Sequence, residues 1–210
     1  MSWVTTTIPY LVVLCAASAC WQFSRTSRQR PRSRPVATLS AVVLIGVSCT
    51  LQLAVAPFLL GEWQRNGFSA WLHQPYRLVT ALLVQDGWLS GAIWNLAALL
   101  WIGLLAEAVW GWRRWILIAL VSGIGAQVWG WLVQPVGAGS SVLVFGLAGS
   151  LLVRGACSGI PVARASGSLG LLCVMGLLVS GDIHGGAAAL GAFTALAFDG
   201  QRRRRSLPER

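Results

Sequence analysis

Lysine is absent from this chain of 210 residues, so all 16 basic residues are arginine. We read that choice as codon bias in a GC-rich genome and attach no chemistry to it. Charge of either sign is scarce, at 10% of residues against 56% hydrophobic ones, and the mean hydropathy is +0.68. A soluble domain of this length is thereby excluded, and the composition suits about six to eight membrane spans. The five cysteines, Cys15, Cys20, Cys49, Cys157 and Cys173, show no CxxC or Cys/His ligand spacing, which argues against a zinc site or a disulfide framework and leaves buried bystander thiols. No metal or organic cofactor site is expected. A net charge of +10 would suit a nucleic-acid partner, but the arginines cluster between apolar runs, so they report topology and no nucleic acid is expected. The first apolar stretch, 3–22, has a polar start and its positive charge after it. That is the reverse of a secretory signal peptide, and the stretch is expected to stay as a span.

Windows of about 20 apolar residues predict spans near 3–22, 37–60, 88–110, 115–134, 141–154, 167–180 and 184–198. A 14-residue span reaches only about 21 Å, less than the roughly 30 Å hydrocarbon core. The short spans must therefore begin below the membrane surface, with a polar first turn in a protein-lined or watery cavity. Four arginine clusters then fall on one side: Arg25 to Arg34, Arg113 with Arg114, Arg154 with Arg164, and Arg202 to Arg210. Only Arg65 and Arg77 lie opposite. The positive-inside rule makes the crowded side cytoplasmic, with the N-terminus outside, the C-terminus inside, and the basic linker and tail facing anionic lipid headgroups. A bacterial plasma membrane is the expected location. The segment 61–87 reads as an outside loop partly embedded in the interface, with Trp63, Trp71 and Tyr76 at headgroup level.

Two polar residues open apolar helices: Ser141 in GSSVLVFGLAG and His184 in SGDIHGGAAALGAF. Both spans run from outside to inside, which puts the two groups in the outer leaflet at similar depth. A serine hydroxyl becomes a useful nucleophile when a base takes its proton and a dry, donor-lined site holds the oxyanion. His184 is the only histidine in a predicted span, while His73 lies in the outside loop without special neighbours. Gly137 and Gly139 let the backbone turn sharply and aim amide N–H groups at the helix start. Taken alone, Ser141 is better read as an N-cap, a role for which Ser140 competes, and a lone histidine as an interhelical hydrogen-bonder. Their joint placement turns the reading toward a pair. Small residues support it: Ala187, Ala188, Gly191 and Ala195 follow His184 at spacings of three or four, and Ala148 and Gly149 lie two turns below Ser141. Facing small-residue stripes let two backbones approach closely.

At these residues the chain resembles the rhomboid family. GSSVLVFGLAG is similar to that family's nucleophile motif, GxSG followed by an aromatic-Gly-Leu-x-Gly run, with Ser141, Phe145, Gly146, Leu147 and Gly149 matching. His184 opens the last helix, as the family's base does. PYRLVTALLVQDGWL resembles the Trp-Arg-x-x-Thr segment before the second core helix, with Tyr76 for the tryptophan and Arg77 and Thr80 kept. Asn95 matches the asparagine of that helix, and Glu107 with Gly111 its E-x-x-x-G end. The resemblance covers about 75–198. It implies an all-α polytopic membrane bundle: a six-helix core over 36–199, preceded by an extra N-terminal span and arginine linker (1–35) and followed by a basic tail (200–210). It also implies intramembrane proteolysis of a transmembrane segment of another protein near its outer end, with Ser141 as nucleophile, His184 as general base and Asn95 donating to the oxyanion.

The chain departs from the pattern at several positions. Gln85 and Ser90 or Gly91 stand where the family has histidines around the second core helix, the spacing from Trp88 to Asn95 is one residue longer, Val142 replaces the glycine after the nucleophile, and Ala187 replaces one after the base. A missing oxyanion donor costs about 3 kcal/mol, roughly a hundredfold in rate. The alternative reading is therefore a catalytically weak or inactive relative that binds transmembrane helices. Asp182 reads as a solvated loop carboxylate, with orientation of His184 as its other possible role. Glu107 reads as a structural hydrogen-bonder or ion-pair partner near its helix end. A small transporter fits poorly, because no charge other than Glu107 is expected to line a path through the bilayer.

Overall fold

The computed structural model describes residues 3–24, 34–67 and 73–205, with side chains described over 7–22, 34–67 and 73–199. Trp71, Arg25 to Arg32 and Arg210, invoked above for topology, lie outside the described residues. Seven long helices dominate the described part: α1 (Trp3–Ser24), α2 (Val36–Thr50), α3 (Trp88–Trp110), α4 (Trp112–Val133), α5 (Ser141–Ala156), α6 (Pro161–Val179) and α7 (Ile183–Arg205). The fold is the expected polytopic helical bundle. Four segments, Val36–Val55, Trp88–Trp110, Trp112–Val133 and Pro161–Val179, are long and apolar enough to cross a membrane. The outer surface is itself apolar, with Val55, Ile93, Leu132, Leu172, Val179 and Phe193 each more than half exposed. Water would not tolerate such a surface, and lipid accounts for it.

The serine helix α5 lies at the centre, buried along almost its whole length. Its 16 residues span about 24 Å, short of the roughly 30 Å core. The helix packs most extensively against α7, and also against α6, α1, α4 and α3. The small-residue stripes face one another there. A Cβ on Gly149 would overlap the Ala188 carbonyl, and one on Gly191 would overlap the Gly146 carbonyl, so these backbones touch with no room for a side chain.

Three helix limits differ from the sequence reading by more than one turn. The π-helical turn Leu51–Val55 continues α2 and ends before Pro57, which pushes Ala56 out of the helical region (φ −136°, ψ 69°). Helix α6 starts two turns before the expected residue 167, because Pro161 at its first position is pre-organised for a helix start. Helix α7 runs on to Arg205, as good helix-forming arginines allow at a helix C-terminus.

Polar clasps hold the loops. Arg77 Nη1 donates to the carbonyls of Gly61 (2.9 Å) and Gln64 (2.8 Å), and Thr80 Oγ1 donates to the Trp63 carbonyl (3.0 Å). Gln52, in the π-helical turn, receives the Gln85 N–H (2.8 Å) and donates Nε2 to the Gln85 carbonyl (2.7 Å). These bonds fix the segment 77–87 against the bundle, and Ala81, Leu82, Val84 and Gln85 are buried. Strands β1 (Arg65–Asn66) and β2 (Val136–Gly137) pair antiparallel beside it. At the other end of α3, Glu107 accepts the N–H groups of Ala37 (3.0 Å) and Thr38 (2.8 Å) and the Thr38 hydroxyl (2.7 Å). It caps α2 through hydrogen bonds, satisfying amides that a helix start leaves free.

Candidate active site

The loop before α5 turns through Gly137 and Gly139. Gly139 has φ +151°, and a Cβ there would lie 3.2 Å from Gln85 Oε1 and 3.6 Å from both Asn95 Nδ2 and Ser141 Oγ. The dihedral favours glycine, and a Cβ would press on Gln85. Ser140 takes the N-cap position with no side-chain cap bond, leaving Ser141 to open the helix. A helix start leaves its first amide N–H groups without intrahelical acceptors and carries the positive end of the helix dipole; here the Leu143 N–H is taken by the Ser140 carbonyl (3.0 Å).

His184 Nε2 lies 2.9 Å from Ser141 Oγ, and His184 Nδ1 lies 2.8 Å from Asp182 Oδ1. An ionised carboxylate only accepts, so Nδ1 carries the proton and Nε2 presents its lone pair to the Ser141 hydroxyl. Asp182 Oδ1 also accepts the His184 backbone N–H (2.8 Å), and Oδ2 accepts the Tyr10 hydroxyl (2.5 Å). Burial acts to raise the carboxyl pKa of Asp182, but the hydrogen bonds and charge of His184, with the Tyr10 bond, outweigh it and hold the group below the usual carboxylate range. Asp182 is 7% exposed. The solvated loop carboxylate of the sequence reading is thus a buried, fully bonded partner of the imidazole, because Gly181 (φ +72°) turns the chain and points it inward.

The imidazole packs on two rings that also meet each other, Phe145 at 4.7 Å and Tyr10 at 4.7 Å between centroids. Ser141, His184 and Asn95 all line one cavity of about 170 Å³, with Gly139 and Val142. His73 is exposed and does not line it. Asn95 donates Nδ2 to Gln85 Oε1 (2.7 Å), and Gln85 Nε2 donates to Ser140 Oγ (3.1 Å). Gln85 therefore spends its amide on orienting Asn95 and holding the buried Ser140, and the second Asn95 N–H remains for a group in the cavity.

Sequence reasoning missed several neighbours. Arg65, counted only as a loop charge, is 4% exposed and lines the same cavity with Asp86, Gln127 and Gln134. Its Nε and Nη2 donate to the Gln134 carbonyl (2.9 and 2.6 Å) and its Nη1 to Gln127 Oε1. Burial lowers its pKa to about 10, partly offset by Asp86, so it stays a cation at neutral pH. The signal available was polar residues inside apolar stretches: Gln52, Gln85 and Gln127 are expensive there unless bonded. Tyr10 in the first span gave the same signal. Among the described residues no cluster of His, Cys, Asp and Glu is arranged to hold a metal ion.

The Rhomboid domain family model matches residues 72–198, more than half of the chain and all of the segment carrying Asn95, Ser141 and His184. No curated protein matches the chain significantly.

Proposed function

The chain belongs to the rhomboid family of intramembrane proteases and pseudoproteases, and on that premise we propose that it is an active intramembrane serine endopeptidase. Ser141 Oγ attacks a peptide carbonyl of a substrate's transmembrane segment, while His184 Nε2 takes the hydroxyl proton as general base. The oxyanion is received by the Asn95 amide and by backbone N–H groups at the start of α5. His184 then returns the proton to the leaving amine as the C–N bond breaks. Water, deprotonated by the same imidazole, releases the acyl group and restores Ser141. Asp182 keeps Nδ1 protonated and the ring oriented, and stabilises the imidazolium formed in between. The observation that carries this reading is the 2.9 Å contact between His184 Nε2 and Ser141 Oγ inside a polar cavity. Residues 36–199 form the protease core in this reading, with the N-terminus outside, the basic C-terminus cytoplasmic and the cavity opening outward. Cleavage therefore falls near the outer end of a substrate helix, where small or helix-breaking residues ease unwinding.

One observation favours a second reading, a pseudoprotease that binds transmembrane helices. Gln85 stands where the family has a histidine, spends its amide on Asn95 and Ser140 and does not line the cavity, so that position supplies the oxyanion with no donor beside Asn95. Co-reconstitution in proteoliposomes with a panel of single-span proteins carrying small and helix-breaking residues in the outer half of the span separates the two. Product mapped to the outer half, absent with Ser141→Ala, supports proteolysis. Retention of spans by wild type and Ser141→Ala alike, with no product, supports helix binding.

A further inference from the structure

Helix α1 lies outside the matched segment 72–198, yet it reaches the candidate site. It packs against α6 and α5 and touches α3, covering the flank of the serine helix between them. Val13, Leu14, Ala17 and Cys20 are its buried face, a stripe at helical spacing. Tyr10 extends that stripe one turn toward the N-terminus. Its hydroxyl donates to Asp182 Oδ2 at 2.5 Å. Its ring packs on His184, with centroids 4.7 Å apart, and meets Phe145 edge-on at 5.0 Å. Without Tyr10, Oδ2 of a 7% exposed carboxylate would lose the hydrogen bond that this hydroxyl gives it, and buried acceptors resist that strongly.

We propose that Tyr10 is a positioning residue of the Ser141–His184 site, acting through Asp182, so that α1 is a working part of the active site as well as an anchor. Tyr10 keeps its proton throughout and Asp182 stays ionised. The hydroxyl holds Oδ2, which sets the plane of the carboxylate, which in turn aims Oδ1 at Nδ1. Anchoring alone would need only an apolar stripe. A hydroxyl directed at the carboxylate that bonds the imidazole is an added feature.

The inference rests on the serine-hydrolase reading above. The test measures the second-order rate of fluorophosphonate labelling of the purified full chain as a function of pH. The variants are wild type, Tyr10→Phe, Asp182→Ala, the double variant, and Ser18→Ala, the Ser18 hydroxyl bonding the Leu14 carbonyl of its own helix (2.8 Å). Tyr10→Phe keeps the ring and should label about five- to tenfold more slowly at neutral pH, part of the effect of one charge-assisted hydrogen bond, since that bond acts on the imidazole through Asp182. Its acid limb should move to higher pH, because a carboxylate relieved of the O–H favours the protonated imidazole more strongly. Among the described residues, Asp182 and Tyr10 are the titratable groups bonded to or packed on that ring. Arg65 and Asp86 line the same cavity, and α4 and α5 present Trp129 and Phe145, which do not titrate. Added to Asp182→Ala, which leaves the Tyr10 hydroxyl no group to position, Tyr10→Phe should slow labelling no further, and Ser18→Ala should match wild type. An unchanged rate and acid limb in Tyr10→Phe would overturn the proposal. An equal slowing in both backgrounds would overturn the route through Asp182, even if the unfolding temperature drops. Folded wild type that does not label at all would overturn the hydrolase reading itself.

Discussion

Replacing Asp182 by asparagine isolates the charge of the carboxylate from its shape. Oδ1 accepts two N–H groups of His184, from Nδ1 and from the backbone, both at 2.8 Å. An asparagine therefore turns its oxygen toward His184, since the amide N–H₂ would meet two donors there. Its N–H₂ then faces Tyr10, whose hydroxyl rotates to accept. The geometry, tautomer and hydrogen-bond count survive, and what is lost is the charge. A bond to a charged group contributes about 1.5–3 kcal/mol and a neutral one about 0.5–1.5 kcal/mol. The difference, about 1.5 kcal/mol, corresponds to roughly tenfold in rate. Fluorophosphonate labelling of Asp182→Asn at neutral pH should thus be about tenfold slower than wild type, with the unfolding temperature nearly kept. An unchanged rate would refute the claim that the carboxylate charge acts on the imidazole. A loss of several thousandfold, the signature of the wrong tautomer, would refute the claim that the backbone N–H pins the oxygen.

Asn95→Ala should slow labelling by about a hundredfold; an equal rate would remove Asn95 from the oxyanion site. Gly191→Val puts side-chain atoms into the Gly146 carbonyl, where backbone cannot yield, and should cost about 3 kcal/mol or more, read as loss of the monodisperse folded species in detergent. The depressed Asp182 pKa adds stability that is complete above the ordinary carboxylate value of about 3.9. That stability is lost as pH falls through the lower native value. Thermal unfolding followed by tryptophan fluorescence should show this acid loss in wild type and a flatter acid dependence in Asp182→Asn.

Much of the site was legible because membrane depth makes polar residues costly. Ser141 and His184 stood out against apolar runs, and the stripes at Gly149 and Gly191 announced the close approach of their helices. Asn95 and Glu107 were found through motif resemblance, since neither spacing nor polarity alone assigns an asparagine or a helix-end acid its partner. Asp182 was misjudged because a loop carboxylate looks solvated until the turn at Gly181 is known to aim it inward. Arg65 was read as topology because its partners, Gln127 and the Gln134 carbonyl, come from a helix about 60 residues away in sequence. Tyr10 was hidden for the same reason: its contact with Asp182 joins residues at |i−j| of 172. Local pattern carries no information about such pairings.

The most direct test of the central claim, that Ser141 is a nucleophile activated by His184, is fluorophosphonate labelling of the detergent-solubilised protein with the adduct site mapped by tandem mass spectrometry. The account predicts an adduct on Ser141, lost in Ser141→Ala and His184→Ala and retained in Ser140→Ala. Folded wild type that stays unlabelled beside an active serine protease control, or an adduct on Ser140, would contradict it.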